Sequence, residues 1–117
     1  MMWQRVVGGL SGAMSVGTGA YGAHGLKGKE GAYIKVYETG SRYQLVHSAI
    51  LAATPAICGN SSRAGKIAGA CFVTGIALFS GSCYAVALSE DRSVGKLAPV
   101  GGFALIGGWL SLAILRR

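Results

Sequence analysis

Four stretches of this chain carry no Asp, Glu, Lys or Arg: Val6 to Leu26, Tyr43 to Ser62, Ile67 to Ser89 and Leu97 to Leu115. Each runs about 20 residues, the length that a helix rising about 1.5 Å per residue needs to cross a hydrocarbon core of about 30 Å. The charges bracket them, at Arg5, from Lys27 to Arg42, at Arg63 and Lys66, from Glu90 to Lys96, and at Arg116 and Arg117. The stretches are too long for strands and show no alternation of apolar and polar residues, while their Ala, Leu and Gly suit membrane helices. A transmembrane barrel needs more and shorter segments. The pattern predicts an all-α integral membrane protein, a four-transmembrane-helix antiparallel bundle forming one domain over residues 1–117, with spans 6–26, 43–62, 67–89 and 97–115. Composition agrees: four acids against eleven bases, with 51% apolar residues, would leave a soluble domain of 117 residues short of surface charge. The first span is broken by Gly8, Gly9, Gly12 and Gly17, which argues against the apolar core of a secretory signal despite the small-residue run "AYGA".

Between the first two spans, Tyr33, Val36, Tyr37 and Gly40 fall at helical spacing while Lys35, Glu38 and Arg42 fall elsewhere. Segment 28–42 is therefore expected to be a short helix lying along the membrane interface, its tyrosines at headgroup depth. The basic residues sit singly at span ends and form no stripe with interleaved aromatics, so they suit lipid headgroups and not nucleic acid. They do not orient the chain, because five lie on the side of the N-terminus and six on the other.

Helices in lipid gain nothing hydrophobic by touching, so close association relies on small residues. Gly8 and Gly12 form one stripe of the first span, and Ser11, Ser15, Gly19 and Ala23 another. The third span offers Gly65 and Gly69, then Ala77, Gly81 and Ala85; the fourth offers Gly101, Gly102, Ala104 and Gly108. Small stripes on more than one face of the first helix leave surface for an outside partner, a homodimer among them. The three cysteines form no CxxC pair; Cys71 and Cys83 lie about 18 Å apart on one helix and Cys58 and Cys71 flank a turn, so all three read as small packing residues.

In a bundle that crosses four times, the end of helix one, the start of helix two, the end of helix three and the start of helix four share a membrane face. Those ends carry Tyr21 and His24, Tyr43 and His47, Ser80, Ser82 and Tyr84, and Pro99, which predicts one convergent polar cluster. The pairs Tyr43/His47 and Ser80/Tyr84 stand at i and i+4, on single helix faces. Three roles fit such a cluster: a hydrogen-bonded clasp closing one end of the bundle, a bis-histidine haem or copper site, and a proton relay or minimal transport path. The first fits best, because small-residue stripes leave little room for a haem and the spans hold no Asp or Glu to bind a cation. Catalysis has weaker support still: Ser80 or Ser82 with His47 lacks an acidic partner, and "GGFALIGG" lacks the lysine of a phosphate loop.

The segments "GAYGAHGL", "SRYQLVHS", "LFSGSCY" and "LAPVGG" followed by "GW" occur in this order over nearly the whole chain. On these the chain resembles the transmembrane protein 256 family, which includes the YgdD-type small membrane proteins of bacteria. The resemblance implies a four-helix membrane protein of bacterial or mitochondrial inner membranes with no established molecular activity, and it marks Gly22, His24, Tyr43, His47, Ser80, Gly81, Ser82, Tyr84, Pro99, Gly101, Gly102 and Trp109 as motif positions. Cys83 stands where a bulkier apolar residue is expected in bacterial members. The expectation is a non-enzyme without cofactor or metal, embedded in lipid, serving as a structural or accessory subunit or assembly partner of a larger membrane complex.

Overall fold

The computed structural model describes residues 2–26, 28–59 and 62–114, with the backbone alone at residue 2. Its regular elements are all helical: α1, Met2–Gly25; α2, Gly31–Cys58; α3, Arg63–Ser89; and α4, Ala98–Ile114. A 3-10 turn, Arg92–Gly95, leads into α4. The whole measures 48 × 25 × 17 Å. Consecutive helices run antiparallel; α1 lies along α2, α4 lies along α3, and α2 joins the two pairs by packing on α3.

Glycine sets the α1/α2 distance. A Cβ at Gly8 would sit 2.6 Å from the Ala52 backbone nitrogen, so the two backbones approach there as only glycine permits, and one at Gly22 would sit 2.6 Å from the Tyr37 ring, which takes the space a side chain would need. Gly12 and Gly19 face Ser48 and Ser41 at ordinary van der Waals distance. At the α3/α4 seam, Gly75 takes the Leu105 side chain, Gly108 takes the Phe72 ring, and Gly101 rides on the backbone of Leu78 and Phe79. Gly69 accommodates Gln4 of α1. Two apolar clusters fill what remains: Leu51, Ala68, Phe72 and Leu105 between α2, α3 and α4, and Leu26, Tyr37 and Ala87 towards the other end.

The helix ends follow from local chemistry. Ser62 caps α3 by accepting from the Gly65 N–H at 3.0 Å. Pro55 sits in the last turn of α2, and Gly59, at φ 92°, closes that helix with its N–H on the Pro55 carbonyl. After α3, Glu90 adopts a left-handed φ of 54°. Asp91 then accepts from the hydroxyl and the backbone N–H of Ser93, and these donors hold its carboxyl below the usual value. Lys29 ties this end together, reaching the Leu88 carbonyl and the Glu90 carboxylate at 3.2 Å each.

Two expectations are corrected. Segment 28–42 is no separate interfacial helix: from Gly31 it is the first part of α2, because Tyr37 and Gly40 bury against Gly22 of α1 and Cys83 of α3 and carry the segment into the bundle. Gly81, expected to pack, meets nothing within 4 Å, and Ala77 and Ala85 are exposed with it. The cause is a π-helical turn, Ile76–Ser80, whose extra residue rotates the remainder of the helix. The buried face of α3 runs through Ala68, Phe72 and Gly75, skips to Ser80, and resumes at Cys83 and Ala87. Asn60 and Ser61, at the end of the second expected span, and Leu115, at the end of the fourth, lie outside the described residues.

Substituting Gly101→Ala pushes a methyl into the α3 backbone and should destabilise by about 1–3 kcal/mol. Gly81→Ala meets no neighbour and should be neutral or stabilising by up to about 1 kcal/mol. Circular-dichroism melts of both variants in one detergent measure the contrast.

Candidate functional site

The polar side chains do not gather at one end; they form separate layers along the bundle. In the first, near the α2/α3 turn, Gln4 of α1 is fully buried and its Nε2 donates to the Gly65 carbonyl of α3 at 2.6 Å. Its Oε1 is buried without a partner.

The second layer is built around His47, which is 5% exposed. Its Nδ1 lies 2.6 Å from the Tyr43 carbonyl, one turn back on α2. A carbonyl only accepts, so Nδ1 carries the proton. Nε2 is left as an acceptor, and the indole N–H of Trp109 on α4 donates to it at 3.0 Å. Both ring nitrogens are committed and the imidazole is neutral. Aromatic rings enclose it: Tyr43 stacks at 5.6 Å, Trp109 presents its edge at 5.8 Å, and Phe72 lies at 6.0 Å.

The third layer joins α1, α2 and α3 through Gln44, which is 1% exposed. Its Oε1 accepts from the Tyr84 hydroxyl at 2.5 Å, and its Nε2 donates to the backbone carbonyl and hydroxyl of Ser11 at 3.2 and 3.3 Å. Ser48 donates to the Ser11 hydroxyl at 2.7 Å. On the other side of Tyr84, the Thr18 hydroxyl stands 3.1 Å from the phenol oxygen, and Tyr37 donates to the Thr18 carbonyl at 2.6 Å. Ser80 donates across to the Gly40 carbonyl at 2.8 Å.

The eight residues expected to converge therefore separate. Tyr43 and His47 belong to the aromatic layer; Tyr84 belongs to the Gln44 layer and Ser80 bonds α2 from the π turn. Ser82 is buried on α3 without a hydrogen bond of its own. Tyr21 is exposed; its ring lies over Gly25 and 6.2 Å from the Tyr37 ring, with no polar contact to the other expected residues. His24 is exposed, and Pro99 lies in the first turn of α4, neither with a polar contact to the others. The register explains it: Gly22 faces Tyr37 and Gly8 faces Ala52, so His24 stands roughly 11 residues, about 16 Å, along the axis from the level of His47. The two rings cannot flank one haem iron or copper ion, and Nε2 of His47 is already taken by Trp109. Gln44, Gln4, Thr18, Ser11 and Ser48 were absent from the expected set, although a carboxamide inside an uncharged span is itself a signal, since it must find partners there.

Two described helices, Arg63–Ser89 and the run Arg92–Ile114 that includes α4, are long and apolar enough to cross a membrane. The family described as protein of unknown function (DUF423) matches residues 18–102. The chain belongs to the DUF423 family. Among relatives of this DUF423 chain, a UPF0382 membrane protein of Staphylococcus saprophyticus is 43% identical over 110 residues, covering 93% of the chain and 92% of the relative. The UPF0382 membrane protein YwdK of Bacillus subtilis is 34% identical over 112 residues, covering 93% and 91%. No solved structure matches. The DUF423 chain is thus a membrane protein with bacterial relatives, and its polar layers lie largely within the matched residues.

Trp109→Phe keeps an aromatic side chain, smaller than the indole, but removes the donor to His47 and should cost about 1–3 kcal/mol, read as a lower unfolding temperature in detergent. Nitrogen NMR of labelled histidine at neutral pH should show His47 protonated at Nδ1 alone. His47→Ala should lower the unfolding temperature and leave absorbance above 400 nm unchanged; loss of a Soret band would reinstate the haem.

Proposed function

We propose that all four helices cross the membrane and that the protein is a non-catalytic accessory subunit or assembly partner of a larger membrane complex. The carrying observation is on α1. Gly8, Gly12, Ser11, Ser15 and Gly19, from both of the stripes named above, form one small surface that meets α2 inside the bundle, whereas Gly9 and Gly17 meet nothing within 4 Å and Ala13 between them is exposed, a second stripe on the outer face. That second stripe has the spacing with which membrane helices associate closely. Crossing by α1 and α2 is supported by where their polarity goes: Gln4, Ser11, Gln44 and Ser48 pair inside, while Val6, Leu10, Met14, Leu45 and Val46 face outward. We place the protein in a bacterial plasma membrane, in the group of the transmembrane protein 256 family; the bacterial relatives lend no support to a mitochondrial setting.

A minimal proton relay is the second reading, favoured by the chain of polar groups from Thr18 through Tyr84, Gln44 and Ser11 to Ser48. That chain stops about 10 Å short of Gln4, measured along α1. The assembly reading is tested by purification in gentle detergent with identification of co-purifying chains. Gly9→Leu with Gly17→Leu should abolish the specific co-purification, or a homodimer seen by cross-linking, without changing the unfolding temperature. Unchanged association in the double variant would overturn the reading. Four crossings require tags at the two termini to be open to a membrane-impermeant protease from one side only.

A further inference from the structure

Arg42 lies at a depth where a charged side chain needs a partner. The hydroxyl of Ser41 stands 3.4 Å from that of Thr18 on α1, and the Tyr43 ring lies 4.8 Å from the Phe79 ring of α3, so the register sets Arg42 level with Thr18 and Phe79. Phe79 is about 4.5 Å from the midpoint of Arg63–Ser89, which in a crossing helix is near the centre of the apolar layer. Arg42 is nevertheless exposed, and so is Glu38, one turn towards the start of α2. Among the described residues the single salt bridge is Lys29 with Glu90, and neither Glu38 nor Arg42 has a hydrogen-bond partner. Charged groups inside a bilayer pair with one another or face a polar interior. These two face outward and stay apart.

The same face of α2 continues along the helix without charge. Glu38, Arg42, Leu45, Ala49 and Ala56 are all exposed and follow one another by four, three, four and seven residues, the heptad spacing that keeps one seam of a helix turned to a parallel partner. Beyond the charges the seam narrows to Ala49 and Ala56, whose methyl groups let a second backbone approach closely. The opposite face of α2, through Tyr37, Gln44 and Leu51, is buried in the bundle, so the seam is turned away from the chain's own core.

We propose that a second copy of this chain covers the seam, the two α2 helices packing in parallel about a twofold axis along the membrane normal, with the Arg42 guanidinium of each copy on the Glu38 carboxylate of the other. The charges select that partner: they are opposite, equal in number and one turn apart, so the surface complements itself across a twofold axis. Side chains of a helix tilt towards its N-terminus, which sends Arg42 towards the level of Glu38 in the second copy, and the planar guanidinium has donors enough for both carboxylates. Four charges in a ring compensate one another in a layer where a lone one is expensive. This pairing rests on the reading that α2 crosses the bilayer, and it occupies a different helix from Gly9 and Gly17, so α1 keeps its outer face for another chain.

The test uses the full-length protein in bacterial membranes. A disulfide needs Cα atoms within about 7 Å, so Ala49→Cys, oxidised with copper phenanthroline, should give a covalent dimer. Wild type, which keeps Cys58, Cys71 and Cys83, sets the background, and Leu110→Cys on the exposed side of α4 should not exceed it. Added to Ala49→Cys, Glu38→Arg and Arg42→Glu each set like charges across the axis and should each lower the dimer about tenfold. Co-expressed with different tags, those two variants should cross-link to each other, because each carries the charges the other lacks; pairing within one chain, or Arg42 on a lipid phosphate, gives no such rescue. Ala56→Leu adds bulk and no charge to the seam and should also lower the dimer while leaving the helical circular-dichroism signal unchanged. The pairing is overturned if Ala49→Cys cross-links no better than Leu110→Cys, if the two charge variants are both in the membrane and do not associate, or, where they fail to insert, if Ala56→Leu cross-links as well as its parent. In the same membranes, terminal tags open to protease from one side only would show that the four crossings stand even where the pairing fails.

Discussion

A carboxamide in a low-dielectric interior has two protons to give and an oxygen to satisfy, and Gln44 meets all three demands on two other helices. The rest of the bundle is arranged around that requirement. Ser11 must come close enough to accept, which needs the backbone approach of α1 and α2 that Gly8 allows. Tyr84 must point inward from α3, which requires the face of α3 to be turned at the right level. Removing any one partner strands the others, and in a medium without water a stranded amide is costly.

His47 follows the same rule with a different outcome. Its ring uses its own helix for one nitrogen and a tryptophan for the other, so a side chain that suggests chemistry is held as a neutral strut between α2 and α4. The surrounding rings of Tyr43, Phe72 and Trp109 fix its orientation. Polar groups inside this membrane protein therefore act as joints, each linking a different set of helices: Gln4 joins α1 to α3, Gln44 joins α1, α2 and α3, and His47 joins α2 to α4.

The helices and their approximate ends were legible because a charged residue has to lie near water: Arg5, Arg63 and Lys66 mark one end and Glu90 to Lys96 the other. The same logic misled at Lys35, Glu38 and Arg42, where charge occupies one face of a helix whose other face, at Tyr37 and Gly40, is buried; spacing along the chain does not say which face meets a neighbour. The polar cluster was misplaced because it assumed helices that stop at one level, whereas α2 continues past Arg42 and carries His47 deep into the bundle. The packing glycines Gly8, Gly69, Gly101 and Gly108 were readable as small residues at helical spacing. Gly81 looks identical in sequence and differs only through the turn before it, which no proline or glycine pair announces.

That turn gives the chain an asymmetric tolerance to changes of length. Because the five residues Ile76–Ser80 carry one residue more than an α-helical path needs, the two halves of α3 present interfaces that are out of phase in the amino-acid sequence and in phase in space. Deleting a single residue there would restore an ideal α-helix and leave Ser80, Cys83 and Ala87 facing α2, whereas forcing all five residues onto an α-helical path would wheel them about 100° away. Ala77 and Ala85 are exposed on the outer face, but inserting a second residue between them would add what the turn has no room to absorb and would unmesh the two halves of the helix like a gear with a tooth too many.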